Sequence, residues 1–112
     1  MNTLNPRLLI SASGPAFSRV VLGLWRLSDW NMSPAQRVTF LEAALELGIN
    51  CIDQADIYGD YTSESLLGEA FTYAPHLRQK FHIVTKCGIQ FPSMRKPTQT
   101  SHIYNTSATH II

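Results

Sequence analysis

Asp53 and Tyr58 lie five residues apart in the segment IDQADIYGD, and Lys86 closes the apolar run FHIVTK. An acid, a phenol and an amine form a usable set for moving a proton. A free tyrosine is a poor proton donor near neutrality, because its pKa is about 10. A cation beside the ring favours the phenolate, and a carboxylate can position that cation and offset its charge. The trio is therefore a candidate general acid/base. Each member also has an ordinary structural use. Asp53 could hold a loop by accepting backbone N–H bonds, Tyr58 could be a half-buried turn aromatic, and Lys86 could stand in solvent. Spacing alone does not choose, since Asp-x4-Tyr arises readily by chance.

The elements that must position the trio alternate in type. Arg7 to Ile10 is a short apolar run before the turn residues Ser13-Gly14-Pro15, and Ser18 to Leu24 is rich in β-branched and apolar residues. Together they predict a small hairpin and a first buried strand, with Gly23 permitting close backbone approach. Ser33 suits a helix N-cap and Pro34 the first helical position. Val38, Leu41, Ala44 and Leu45 then recur at helical spacing, and Gly48 is a natural stop. Ile49 to Asp53 reads as a strand and Tyr58-Gly59-Asp60 as a turn. Ser63 is placed to cap a second helix with Leu66, Leu67, Ala70 and Phe71 on its buried face, ended by Pro75. Phe81 to Lys86 is a third strand. Strand, helix, strand, helix, strand is the pattern of parallel β/α units. The strands lack polar alternation, as expected when both faces are covered. In such a sheet the strand ends on one edge share a face, so Asp53, Tyr58 and Lys86 can converge. From about Gln90 to Ile112 the chain is polar and without a period, predicting a long loop and, after Ser107, the start of a helix.

Composition limits the possible partners. The chain has 112 residues, is 45% hydrophobic and 15% charged, and carries a net charge of +1. That is the composition of one globular domain. There is no basic excess to attract nucleic acid and no polybasic run for an anionic membrane. The longest apolar stretches are interrupted by Arg26, Glu42 and Glu46, so no bilayer span is expected. MNTLNPRLLISASG is too weakly apolar for a signal peptide. Cys51 and Cys87 form no C-x-x-C pair, and both are expected to be small buried hydrophobes in a cytoplasmic protein. No metal-ligand spacing is present.

The segment GINCIDQADIYGDYTSESLLGEAF, followed by FHIVTKCG, resembles the aldo-keto reductase superfamily, including its bacterial NADP-dependent oxidoreductase branch. Gly48, Asp53, Ala55, Tyr58-Gly59, Glu64 and Leu67-Gly68 meet the family pattern, and Thr85-Lys86 meets its strand-ending Thr-Lys. VVLGLWRL looks like the family's first barrel strand. The likeness covers roughly residues 7 to 90, with several motifs in the right order.

The resemblance implies an α/β fold, namely part of a (β/α)8 TIM barrel with an N-terminal hairpin, about three parallel strands and two helices. It implies one domain over 1–112, the N-terminal part of an NADP-dependent oxidoreductase, with about 90–112 as polar loop and the start of a truncated helix. It further implies reduction of a small aldehyde or ketone by hydride transfer from NADP(H). Tyr58 would protonate the carbonyl oxygen, Lys86 would favour the phenolate, and Asp53 would pair with Lys86. Gly23, Leu24, Trp25 and Asp53 would lie against the nicotinamide. The family's fourth catalytic residue is a His at the end of the next strand, and His76, His82, His102 and His110 all fall elsewhere. A full barrel needs about 250 residues, and the family's phosphate-holding loops come later. Residues 1–112 alone are therefore expected to be inactive and marginally folded. Two other classes remain open. One is a Schiff-base barrel enzyme using Lys86 as nucleophile. The other is a non-catalytic interaction protein, or a fragment without function, exposing apolar faces.

Overall fold

The computed structural model describes residues 5–112. Its centre is a three-stranded parallel sheet in the order β3-β4-β5, formed by Leu22–Gly23, Cys51–Asp53 and His82–Val84. The register pairs Leu22 with Ile52 and Ile52 with Ile83, and it pairs Gly23 with Asp53 and Asp53 with Val84. Side chains alternate across a strand. Leu22, Ile52 and Ile83 therefore share one face, and Gly23, Asp53 and Val84 the other. The ladder continues past the strand ends. Leu24 N–H donates to Asp53 O, Gln54 N–H to Val84 O and Asp56 N–H to Lys86 O, at 3.1, 2.7 and 3.0 Å. Lys86 thus lies just beyond β5, still held in the ladder.

Two helices cover the first face. Helix α1 (Pro34–Glu46) starts as expected: Ser33 Oγ accepts from Gln36 N–H, Gln36 Oε1 accepts from Ser33 N–H, and Pro34 occupies the first turn. These bonds satisfy donors that a helix start otherwise leaves open. At its end Gly48 takes φ 80°, Gly48 N–H donates to Leu45 O, and Ile49 N–H donates to Ala44 O. This double bond closes the helix through a left-handed glycine. Helix α3 (Ser63–Tyr73) packs against α1. Arg37, itself buried, donates from Nη1 to Leu66 O at 2.8 Å and to Glu69 Oε2 at 3.0 Å. Leu24, Leu27, Val38, Leu41, Ile52, Leu67, Ala70, Ala74, Leu77 and Phe81 make one core between helices and sheet. Leu45, Leu66 and Phe71 are only partly buried, at the rim.

Several boundaries differ from the sequence expectation. The run Ser18 to Leu24 is divided. Ser18 belongs to β2 (Ala16–Ser18), which pairs antiparallel with β1 (Arg7–Leu9), and only Leu22–Gly23 joins the parallel sheet. Asn50 fixes this break by accepting from Ser18 N–H and donating to Ala16 O, and Arg7 donates to Gly48 O. The hairpin is thereby tied to the N-terminal ends of the parallel strands, away from Asp53. Ser63 is not a cap. It is the first residue of α3, wholly buried, and its hydroxyl donates to Leu24 O at 3.0 Å. From Pro75 the chain makes a 3-10 segment (Pro75–Lys80) that carries Leu77 into the core. The tail is not an unpaired loop either. β6 (Ile89–Gln90) and β7 (Ile103–Tyr104) form an antiparallel pair, followed by the short helix α4 (Ala108–Ile111) after Ser107. Cys51 is buried as expected, but Cys87 is exposed.

Candidate active site

Asp53 stands at the end of β4, and its carboxylate joins the other two candidates. Oδ1 accepts from Lys86 Nζ at 2.9 Å, and Oδ2 accepts from the Tyr58 hydroxyl at 3.3 Å. Lys86 Nζ also lies 4.8 Å from the Tyr58 ring centroid. The three side chains therefore meet, as the parallel topology predicts.

Tyr58 is held there by a turn of unusual backbone. Residues Tyr58–Tyr61 (α2) make a single turn in which Gly59, Asp60 and Tyr61 all have positive φ, at 62°, 54° and 66°. Only glycine enters that region without cost. A Cβ at Gly59 would also fall 2.7 Å from Thr62 Oγ1 and 2.8 Å from Ser28 Oγ. Gly59, following Tyr58, is thus a physical requirement of the turn. Beyond it, the Tyr61 ring stacks on Phe91 with centroids 5.1 Å apart, and its hydroxyl donates to Gln99 Oε1 at 3.0 Å. The tail is anchored next to the site through this tyrosine.

Lys86 is held at its ammonium. Its Nζ donates to Gln54 O at 2.7 Å as well as to Asp53. The preceding Thr85 donates its hydroxyl to Glu64 Oε2 on α3 at 2.7 Å. Glu64 and Thr85 stand in the sequence motifs without a stated partner, and they prove to be each other's. Partial burial pulls the Lys86 pKa down, but hydrogen bonding to Tyr58 and Asp53, together with the Asp53 charge, outweighs it. The ammonium therefore holds its proton above the ordinary lysine range. The pair remains open to water, with Lys86 and Asp53 side chains 51% and 39% exposed. Burial pushes the neighbouring Asp56 carboxyl up, against the pull of the Ile57 N–H.

An apolar depression of about 220 Å³ borders Tyr58 and Lys86 and is lined also by Ala55, Ile57, Cys87 and Ile89. Of the residues expected near a nicotinamide, Gly23 is exposed, with nothing within 4 Å of an added Cβ, and Trp25 is 65% exposed. Leu24 points the other way, into the core at 1% exposure, and both its backbone groups are bonded. The histidines are spent elsewhere: His82 against Phe17, His102 against Phe91 and Tyr104, and His110 beside Gln90, while His76 is exposed. Among the described residues no cluster of His, Cys, Asp or Glu could hold a metal, and no helix is long and apolar enough to cross a membrane.

The sequence profile of the Aldo/keto reductase family matches residues 19–111, which include every residue of this site. The chain belongs to the aldo/keto reductase family. It is 50% identical over 106 residues to the oxidoreductase YdhF of Escherichia coli, covering 95% of this chain and 35% of that protein. It is 48% identical over 95 residues to a 6-dehydroglucose reductase of Agrobacterium fabrum, covering 84% of this chain and 32% of the relative. Among solved structures it is similar to the glycerol dehydrogenase AKR11B4 of Gluconobacter oxydans, with TM-score 0.69 and 27% identity, over 97% of this chain and 33% of that one. The aldo-keto reductase AKR11C1 of Bacillus halodurans shares the fold, with TM-score 0.69 over 96% of this chain and 33% of its own. The chain spans about a third of the length of these aldo/keto reductases. Its parallel sheet is accordingly part of a (β/α)8 barrel, and the site stands at the C-terminal strand ends, where such barrels hold their chemistry.

Proposed function

We propose that the site belongs to an NADP(H)-dependent carbonyl reductase, in which Tyr58 is the general acid, Lys86 its charge partner and Asp53 the carboxylate that holds both. The supporting observation is the single carboxylate shared by ammonium and phenol. The residues present suit the nicotinamide end of the cofactor: Gly23 leaves open space at a strand end, and Trp25 presents an exposed ring beside it. NADPH, when bound, supplies a hydride to the carbonyl carbon. Tyr58 then gives its proton to the carbonyl oxygen, and the adjacent Lys86 ammonium stabilises the phenolate that remains. Asp53 keeps the ammonium and the phenol in register.

A Schiff-base role for Lys86 fits less well. A nucleophilic lysine needs a lowered pKa, whereas this one is raised. One domain over 1–112 remains the proposed organisation, with a small carbonyl compound as substrate, in a cytoplasmic protein. The 112 residues by themselves have little or no activity in this proposal, because the fourth catalytic residue and the phosphate loops are expected on later barrel units.

The test is a chimera in which this chain replaces the matching segment of YdhF. NADPH oxidation with 4-nitrobenzaldehyde is expected, falling about 10²–10⁴-fold in Tyr58→Phe. Undiminished turnover in Tyr58→Phe would reject the assignment, and borohydride trapping of substrate on Lys86 would favour the Schiff-base alternative. Robust reduction by the 112-residue chain alone would overturn its proposed inactivity.

A further inference from the structure

Gln54 follows Asp53 directly, yet it is 1% exposed, on the helix-facing side of the sheet. Each of its groups except one is committed. Its N–H donates to Val84 O at 2.7 Å, extending the β4–β5 ladder. Its carbonyl accepts Lys86 Nζ at 2.7 Å, a shorter contact than the 2.9 Å from Lys86 to Asp53. Its side-chain Nε2 donates to Ser63 O at 3.2 Å, a buried bond to the first residue of α3. Ser63 in turn reaches across to Leu24 O at the end of β3. A continuous path therefore runs from the end of β3, through the start of α3 and the Gln54 side chain, to the peptide that holds the ammonium.

The geometry points to Gln54 as a positioning residue for Lys86: its buried amide ties the 53–54 backbone to the start of α3 and so keeps the Gln54 carbonyl aimed at Nζ. This builds on the role proposed above for Lys86, but it concerns placement of the amine and not hydride transfer. A residue serving only to fill space here would be apolar, since burying an amide without full satisfaction costs stability. Gln54 Oε1 is in fact buried and takes no hydrogen bond among the described residues. The amide therefore carries a cost that packing alone does not justify, and the Ser63 bond is what it gains. Asp53, at 2.9 Å from Nζ, and the Tyr58 ring, at 4.8 Å, are the other groups facing the ammonium.

Amine labelling of the folded chain tests this without any turnover. Acetylation of Lys86 is followed by mass spectrometry against Lys80 and Lys96 as internal references. In Gln54→Met, which keeps the shape and removes the donor, Lys86 labelling is expected to rise about threefold or more relative to the references, because a loosened ammonium gives up its proton more readily. A Lys86 rate that stays unchanged, or that rises only in step with Lys80 and Lys96, would overturn the proposal. Gln54→Glu, which keeps the length of the side chain and removes the donor to Ser63 O, is the second variant: a rise confined to Lys86 is expected there too, and no such rise would equally overturn it. Failure of the reductase assignment in the chimera leaves this readout intact, and failure here leaves the chimera's activity to be judged separately.

Discussion

The two faces of the parallel sheet have opposite characters although the same three strands supply both. Leu22, Ile52 and Ile83 face two helices and are sealed into the core or packed against it. Gly23, Asp53 and Val84, one residue along, border an open concavity with Phe17, Val21 and Cys51. In a closed barrel that second face would be filled by layers of side chains from other strands. The helix face holds the core of these residues, and the open face presents the candidate group around Asp53. The less packed face has room for a ligand, and the charged pair Asp53–Lys86 beside it is partly wet.

The largest expected effect tests the sealed face. Ile52→Ala should destabilise the chain by about 2–5 kcal/mol, measured by urea unfolding, whereas Val84→Ser on the open face should stay within about 0.5 kcal/mol. Equal costs would break the contrast. Next, Gly59→Ala combines a left-handed backbone with two close side-chain contacts, and it should cost about 1–3 kcal/mol. The loss should concentrate at the site turn, visible as faster amide exchange around 58–62, and uniform exchange would count against it.

A pH effect should be smaller. Lys86 is raised as described, and burial followed by the Asp53 charge raises the Cys51 thiol. In both cases the folded chain binds its proton more tightly than the unfolded chain. Their contribution is complete below the unfolded values, at about 8.5 for Cys and 10.4 for Lys, and it is lost as pH rises past them. Stability should therefore decline on the alkaline side, and less steeply in Cys51→Ala. A profile flat through pH 11 would contradict this. Smallest of all, Phe91→Ala should free the tail from Tyr61 and raise exchange in 89–104 while leaving the unfolding midpoint nearly unchanged. A large fall in that midpoint would show that the tail is part of the core.

Sequence and structure agree where a local rule had little competition. Ser33-Pro34 and Gly48 set both ends of α1, and the apolar run before Asp53 set β4. The convergence of Asp53, Tyr58 and Lys86 followed from parallel topology. Agreement fails where side chains from distant segments decide. Ser63 has the chemistry of a cap, but a buried hydroxyl facing Leu24 O serves it better. The pairing of β6 with β7 involves two residues on each side, too short for any alternation to register. Its anchor, Tyr61, lies far back in the chain. Gln54, a polar residue beside Asp53, has the sequence signature of a surface position, while the alternation carried on past the end of β4 turns it inward.

Strand order here is also chain order, and that bears on how the site comes into being. Each parallel strand docks beside its immediate predecessor, so no later segment must be threaded between earlier ones. Closing the loop between Asp53 and Lys86 carries an entropic cost that grows only logarithmically with its length. On a chain synthesised at about 5–20 residues per second, carboxylate, phenol and amine would become available within seconds of one another. The group of Asp53, Tyr58 and Lys86 can thus be among the first long-range features of these residues to assemble during synthesis.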